Sequence, residues 1–456
     1  MGRVGRATFA LVLGWTVGCS PKSAEPSAVT VSDGAIGSAP PPPAQQLEAG
    51  TGAGMDAAAP PSSAPSSEPE GGAARDASPG DAAIVTSPPT DPADAALATT
   101  RDVLLVANKD VGAVELFDAK SFAKLGSLNV IPDGKDPQDP FHAPIYAAIV
   151  LVEGLNYAQH ILVAPDGATL YVARGWLGDV TAFDLASKKQ KWRLQTTSFR
   201  ADHMALNADG SRLFVSALSA DQVQVIDPVK GAFVGMFPTG TWPHGMELSH
   251  DGKRLYTGSI GNILLAEGMQ GRYELTVTDP SSLKTTQAFT FDAGIRPFVI
   301  GHDDKLMYTQ LSWFHGLAEV DLTSGATLRQ LELPISSDAQ QLPRADYPND
   351  AAHHGLAMSH DGETLCAAGT LSDYVALVSR SSMTLLKSIP VGDEPGWTVT
   401  SPDGQYCFVG SRGEKTISAI SYAELKEVAR FPVGGLPQHL LVAKIPESVL
   451  RAGGYL

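Results

Sequence analysis

Cysteine is scarce in this chain: its 456 residues hold three, Cys19, Cys366 and Cys407. No two form a Cys-x-x-Cys pair, which excludes c-type haem attachment, a zinc ribbon and a thioredoxin-like redox motif. No apolar run reaches the ~18 residues that a transmembrane helix needs. Basic residues are in deficit, with 33 Lys and Arg against 49 Asp and Glu and a net charge of −16. Phosphate-backbone binding rests on clustered cations, so nucleic acid is excluded as a partner. Cys366 and Cys407 lie in neighbouring repeats but one position out of step. In strands that offset turns them to opposite faces, and they are expected to be buried free thiols.

Large apolar side chains are nearly missing from residues 20–98, which are Ala, Pro, Ser, Gly and Asp and include Pro40-Pro41-Pro42-Pro43. Such a stretch cannot bury enough surface to offset the entropy of ordering it, and reads as a disordered tether. Residues 1–19 read as a signal peptide: Arg3 and Arg6 form a basic start and Ala7 to Val17 a short apolar stretch. Its end, Thr16-Val17-Gly18-Cys19, resembles a bacterial lipobox, although Thr16 stands where that motif usually has Leu. The resemblance implies lipidation of Cys19, and Ser20 after it implies export to the outer membrane of a Gram-negative cell. Membrane contact is expected only through that lipid.

What the chain has in abundance is repetition. From residue 99 onward one unit recurs, punctuated by the hairpin signal Asp-Gly at Asp166-Gly167, Asp209-Gly210, Asp251-Gly252, Asp361-Gly362 and Asp403-Gly404, with Asp303-Asp304 in the same place. Successive Asp positions differ by 43, 42, 52, 58 and 42 residues, a period near 42 with two enlarged units. That is the spacing of four-stranded propeller blades. A β-rich run follows each turn, as in Arg212-Leu213-Phe214-Val215, and then a third strand such as Val223-Gln224-Val225-Ile226-Asp227. Its closing Asp recurs as Asp118, Asp184, Asp227, Asp279 and Asp321. A carboxylate there bonds backbone amides two residues on and tightens the turn, so these are turn residues and not metal ligands.

Six complete units and one split unit can be counted. Residues 102–130 supply three strands, and Pro437 to Ala443 supplies the missing first strand. Joining them makes an all-β, seven-bladed propeller over residues 99–456, closed by pairing of its N- and C-terminal strands and free of open sheet edges. A monomer is expected.

First strands line the central channel of a propeller. Just before them stand His160, His203, His244, His353-His354 and His439, so five of seven blades place histidine at nearly one position. The other two place Arg296 and Trp397 there. Neutral imidazoles converging on a channel mouth are suitable ligands for copper or zinc. One ancestral histidine copied along the repeats would give the same register, so inherited architecture stands as the rival reading. Insertions at roughly 131–157, 260–273 and 334–352 fall on the same face, as do Arg174, Trp176, Trp313, His315, Asp373 and Arg412 in the loops between second and third strands. Insertions gathered on one face mark a binding face. Arg174, Trp176, Arg296, Trp313, Trp397 and Arg412 together suit an anionic or planar ligand. His250, His302 and His360 sit beside the turns of the opposite face and read as solvated.

The phrase Pro243-His244-Gly245-Met246-Glu247-Leu248-Ser249-His250-Asp251-Gly252-Lys253-Arg254-Leu255-Tyr256 resembles the YVTN family of propeller repeats, and the pattern recurs from about residue 102 to 444. This resemblance implies YncE-like envelope proteins, lactonase-like propellers and, more distantly, the cytochrome d1 and nitrous oxide reductase propellers as relatives. His353-His354 resembles the paired histidines of that reductase, but no cysteine-rich copper domain follows. The expected function is a binding module of the cell envelope for a small-molecule ligand or an envelope protein. A copper or zinc protein using the histidines is one alternative. A lactonase- or lyase-type enzyme is another, with a channel-mouth histidine as general base and Arg174 or Arg296 holding a carboxylate.

Overall fold

The computed structural model describes residues 99–456; the expectations for the signal peptide, for Cys19 and for the tether 20–98 lie outside the described residues. Twenty-eight strands make seven four-stranded antiparallel sheets. Six of these are runs of four consecutive strands, and the seventh takes β28 (Pro437–Pro446) as its innermost strand, followed by β1 (Thr100–Asn108), β2 (Ala113–Asp118) and β3 (Lys124–Asn129). We number this closing blade one. The closure register runs from Thr100 opposite Pro446 to Asn108 opposite Pro437, and Arg101 fastens it by pairing with both Asp118 at 2.9 Å and Glu447 at 3.1 Å.

Second strands carry apolar residues on both faces because each blade is covered on both sides by its neighbours. All five residues of β9 (Leu213–Ala217) and of β13 (Leu255–Ser259) are buried. Fourth strands lie at the rim and are wet, as in β15 (Lys284–Phe291), where five residues in a row are exposed. Between blades one and two the core is Val103, Leu105, Val114, Leu116, Leu170, Val172 and Phe183.

The turns form as their residues dictate. Asp166, Asp209, Asp251, Asp303, Asp361 and Asp403 each accept the amide two residues on. The glycines beside five of them have φ between +68° and +72°, the left-handed region where a Cβ is unwelcome; Asp304 takes the same region at φ 56°. Asp118, Asp184, Asp227, Asp279 and Asp321 accept amides two or three residues on, which gives them the turn role read from the repeat.

The cysteine expectation is corrected. Cys366 and Cys407 form a disulfide, with Cα atoms 6.6 Å apart. Their offset does turn them to opposite strand faces, but neighbouring blades stack face to back. The offset therefore points one thiol at the other across the interface of blades six and seven, among Ala357, Leu377, Val409 and Ile420.

The insertions build small elements. Helix α1 (Ala143–Glu153) lies in the first, and α2 (Ser337–Gln341) with the 3-10 turns Arg344–Asp346 and Pro348–Asp350 in the third. Helix α3 (Glu447–Ala452) follows β28. No helix among the described residues is long and apolar enough to cross a membrane.

Candidate functional site

Four innermost strands share one irregularity. In Ala201–Leu206, Pro243–Leu248, Ile295–Ile300 and Pro395–Thr400, the register steps three residues against two on the second strand, between Ala201 and Met204, Pro243 and Met246, Ile295 and Phe298, and Pro395 and Thr398. Such a bulge bends the strand and re-aims side chains. The residues inside the bulges are Asp202-His203, His244-Gly245, Arg296-Pro297 and Gly396-Trp397, so most of the unusual residues at the channel owe their direction to this repeated bulge. Ser216 Oγ of the neighbouring blade donates to the His244 carbonyl inside one bulge at 2.8 Å; in blade six, whose first strand has no such step, Gln310 clasps both backbone groups of Gly355 just ahead of it. Gly355 has no alternative, since a Cβ would meet the Gly396 carbonyl at 2.2 Å.

Five of the six expected metal ligands meet. Ring centroids are 3.8 Å apart for His160 and His439, 4.8 Å for His160 and His203, 4.2 Å for His203 and His244, and 5.6 Å for His244 and His354. Trp397 packs among them, 4.5 Å from His439 and 5.0 Å from His203, nearly parallel to the latter. His353 is not part of the group: it faces His315 at 6.0 Å and Tyr374 at 5.9 Å.

Burial dominates the chemistry of these rings. It pushes His160, His203, His354 and His439 well below the usual imidazole range, with the charge of neighbouring histidines adding to it. His353 falls to about 3, through burial and then His315. His244 is also lowered by burial, against the pull of Asp202. Asp202 itself would be raised by burial, but Arg200 and His244 override this and hold it ionised, well below the carboxylate range. The His244 Nδ1 lies 2.8 Å from Asp202 Oδ2, and the His244 Nε2 lies 3.3 Å from the Nε2 of His354. The sequence reading passed over Asp202; its position next to His203, within the repeated register, was the available signal.

Beside this group is a narrow cavity lined by Arg200, Arg296, Arg412, His244, His354 and Gln438, among others, and walled by Ile260, Ile263 and Asn349 from the second and third insertions. Arg296 is buried and drops to about 10 through desolvation, although Asp350 offsets part of that. Its Nε reaches Ser312 Oγ at 3.1 Å and its Nη2 has no hydrogen-bond partner. Arg412 pairs with Glu394 at 3.0 Å and Arg200 with Asp202 at 3.2 Å, yet the Nε of each is buried without a partner. Lys109 lies close enough to feel Arg412 and Arg200, and burial first, then those charges, lower it to about 8. Arg200 and Lys109 carried no motif in the sequence.

The remaining expected ligand contacts lie elsewhere. Arg174 is fully buried but turned into an ion-pair network with Asp179 at 2.6 Å and Asp133 at 2.7 Å, which Arg193 shares. Its partner Asp133 comes from the first insertion, and the network ties that insertion to blade two. Trp176 lies beneath the Arg200 guanidinium, 4.5 Å from ring centroid to Cζ, and so acts on the cavity through Arg200. Trp313 packs with Tyr347 and Ala352 and supports the third insertion. Of the six residues expected to bind ligand, Arg296 and Arg412 line the cavity and Trp397 caps the histidines.

No family model matches the sequence, and no curated protein does. Solved structures are similar. Hydrazine synthase of Kuenenia stuttgartiensis aligns with a TM-score of 0.54 and 18% identity over 70% of this chain and 92% of that one. A putative 6-phosphogluconolactonase from Bacteroides fragilis aligns with a TM-score of 0.56 and 15% identity over 78% of this chain and all of that one. At such identities the likeness shows the propeller fold alone.

Proposed function

We propose that this propeller is a binding module for a small anionic molecule, taken up at the channel mouth. One observation carries the reading: Arg200, Arg296 and Arg412 line a single cavity, and each holds a buried guanidinium N–H with no acceptor in the protein. A buried charged donor left unpaired is costly. A carboxylate or phosphate oxygen would satisfy such donors with short, charge-assisted hydrogen bonds. Gln438, whose buried Oε1 also lacks a partner, would accept a hydroxyl of the same ligand. The narrowness of the cavity suits a ligand of a few heavy atoms or the acidic end of a larger one.

Export to an oxidising compartment belongs to the same reading. It is supported by the Cys366–Cys407 bond and by the signal-like start with its lipobox-like Thr16-Val17-Gly18-Cys19. The test is calorimetric titration of the full chain with inorganic phosphate, sugar phosphates and hydroxycarboxylates, repeated on Arg296→Met. Saturable binding by the parent that weakens at least tenfold in the variant is the expected result. Equal binding by both, or none by either, would remove the reading. Turnover of a sugar lactone in the same assay would replace it with a lactonase.

A further inference from the structure

We propose that the narrow cavity of the channel mouth holds one phosphate group, with three of its oxygens on Arg200, Arg296 and Arg412 and a hydroxyl at its fourth corner donating to the Oε1 of Gln438. The inference rests on the reading of this cavity as an anion site and names the anion.

The place of the cavity in the ring comes first. Apart from Ile260, Ile263 and Asn349 of the insertions, its lining takes one side chain from each blade. Arg200 precedes the innermost strand of blade three, Arg296 lies on that of blade five, and Arg412 follows the second strand of blade seven. His244 and His354 stand between them in blades four and six. Gln438 and Gln159 come from blades one and two. A cavity ringed in this way lies on the propeller axis, so the three guanidinium groups stand two blades apart and approach from different sides. A carboxylate offers two oxygens whose acceptor directions share one plane. A phosphate group offers three strong acceptor oxygens that point apart. Donors arriving from three sides match the phosphate.

The unpaired atoms then supply the count. Among the described residues that line the cavity, four have a buried side-chain atom without a hydrogen-bond partner: Arg200 Nε, Arg296 Nη2, Arg412 Nε and Gln438 Oε1. Three donors and one acceptor are the complement of hydrogenphosphate, which has three bare oxygens and one hydroxyl. Each guanidinium is already held through another nitrogen, Arg200 by Asp202 at 3.2 Å, Arg296 by Ser312 at 3.1 Å and Arg412 by Glu394 at 3.0 Å. The free donors therefore need little ordering when the anion arrives. Gln159 spends both ends of its amide on Asn156 and Asp202, which leaves Gln438 as the acceptor. Sulfate has the same shape without the proton, and would set a bare oxygen against the Gln438 carbonyl. A hydroxyalkyl phosphate monoester shares the pattern of the free ion, but the isoleucine wall favours the free ion.

The full chain, dialysed free of phosphate, would be titrated calorimetrically in mildly alkaline buffer with inorganic phosphate, sulfate, methyl phosphate, glycerol 1-phosphate and glycolate. One equivalent of phosphate should bind, at least tenfold more tightly than sulfate, methyl phosphate or glycolate, because a site built to accept a hydroxyl rejects ligands that lack one in that place. Gln438→Met should bring phosphate down to the level of sulfate, and Arg412→Lys should weaken both. Melting curves establish that the variants fold, and the ranking of anions by the parent stands without them. Glycolate bound more tightly than phosphate would overturn the proposal and leave an anion site; no anion bound would overturn both readings. Phosphate and sulfate bound alike, or a ratio unchanged in folded Gln438→Met, would also overturn it. Glycerol 1-phosphate bound more tightly than phosphate would keep the phosphate site and assign it to an ester instead of the free ion.

Discussion

Cys366 and Cys407 occupy the second strands of adjacent blades, 41 residues apart in sequence, and are bonded to each other across the blade interface. The bond ties blade seven, whose first strand carries Trp397, to blade six, whose leading loop carries His354. Loop closure over ~40 residues is worth about 4 kcal/mol in the chain-entropy account. The Cys366→Ala, Cys407→Ala double variant is expected to lose stability of that order in a denaturant melt. Adding reductant should bring the parent towards the variant and leave the variant where it is.

Arg174 and Arg296 should respond to substitution in opposite ways. Arg296→Met removes an unpaired donor from the cavity and is expected to cost ligand affinity at least tenfold, since hydrogen bonds to charged groups contribute about 1.5–3 kcal/mol, with little loss of stability. Arg174→Met breaks an internal network and leaves the buried Asp179 with Arg193 as its remaining cation. It should lower the melting temperature clearly and leave the affinity of correctly folded protein unchanged. Calorimetry and thermal melting on both variants check the pair.

Glu247, on the innermost strand of blade four, supplies a pH dependence. Burial raises its carboxyl to about 8, although the Ile300 amide donates to it at 3.2 Å. An unfolded glutamate titrates near ~4.3, so between these values the folded chain holds a proton that the unfolded chain has lost. Stability from this group is complete below the unfolded value and is lost as pH rises through about 8. Melting temperatures measured from pH 5 to pH 8 should fall less steeply in Glu247→Gln than in the parent.

The ring was legible because its punctuation is local. Asp-Gly turns and closing aspartates repeat whatever the rest of a blade contains, and the unpaired strand at each end shows how the circle closes. The first-strand histidines were legible for the same reason. Their exact directions were not, because a bulge decides which of two adjacent residues faces the channel. This is why Asp202 went unnoticed beside His203; His353 could not be told from His354 because both stand in the loop ahead of their blade's first strand, where no strand register orients them. Arg174 looked like a ligand contact although Asp179, five residues on, pairs with it; its second acid, Asp133, lies 41 residues upstream in an insertion outside the repeat. The disulfide was missed because facing surfaces of stacked blades come from opposite sides of equivalent strands, a relation that a single strand does not display.

Ring closure sets the order in which the channel mouth can be completed. His160 belongs to the first complete blade and His439 to the last strand of the circle, and their rings end 3.8 Å apart. A ribosome makes these two residues at opposite ends of the propeller's synthesis. Until Pro437–Pro446 reaches Thr100–Asn108, the earlier blades hold an arc whose histidines have no neighbour at the gap. The channel mouth thus matures only on a finished chain, and a nascent or truncated copy would carry its cations and imidazoles without the assembled cluster.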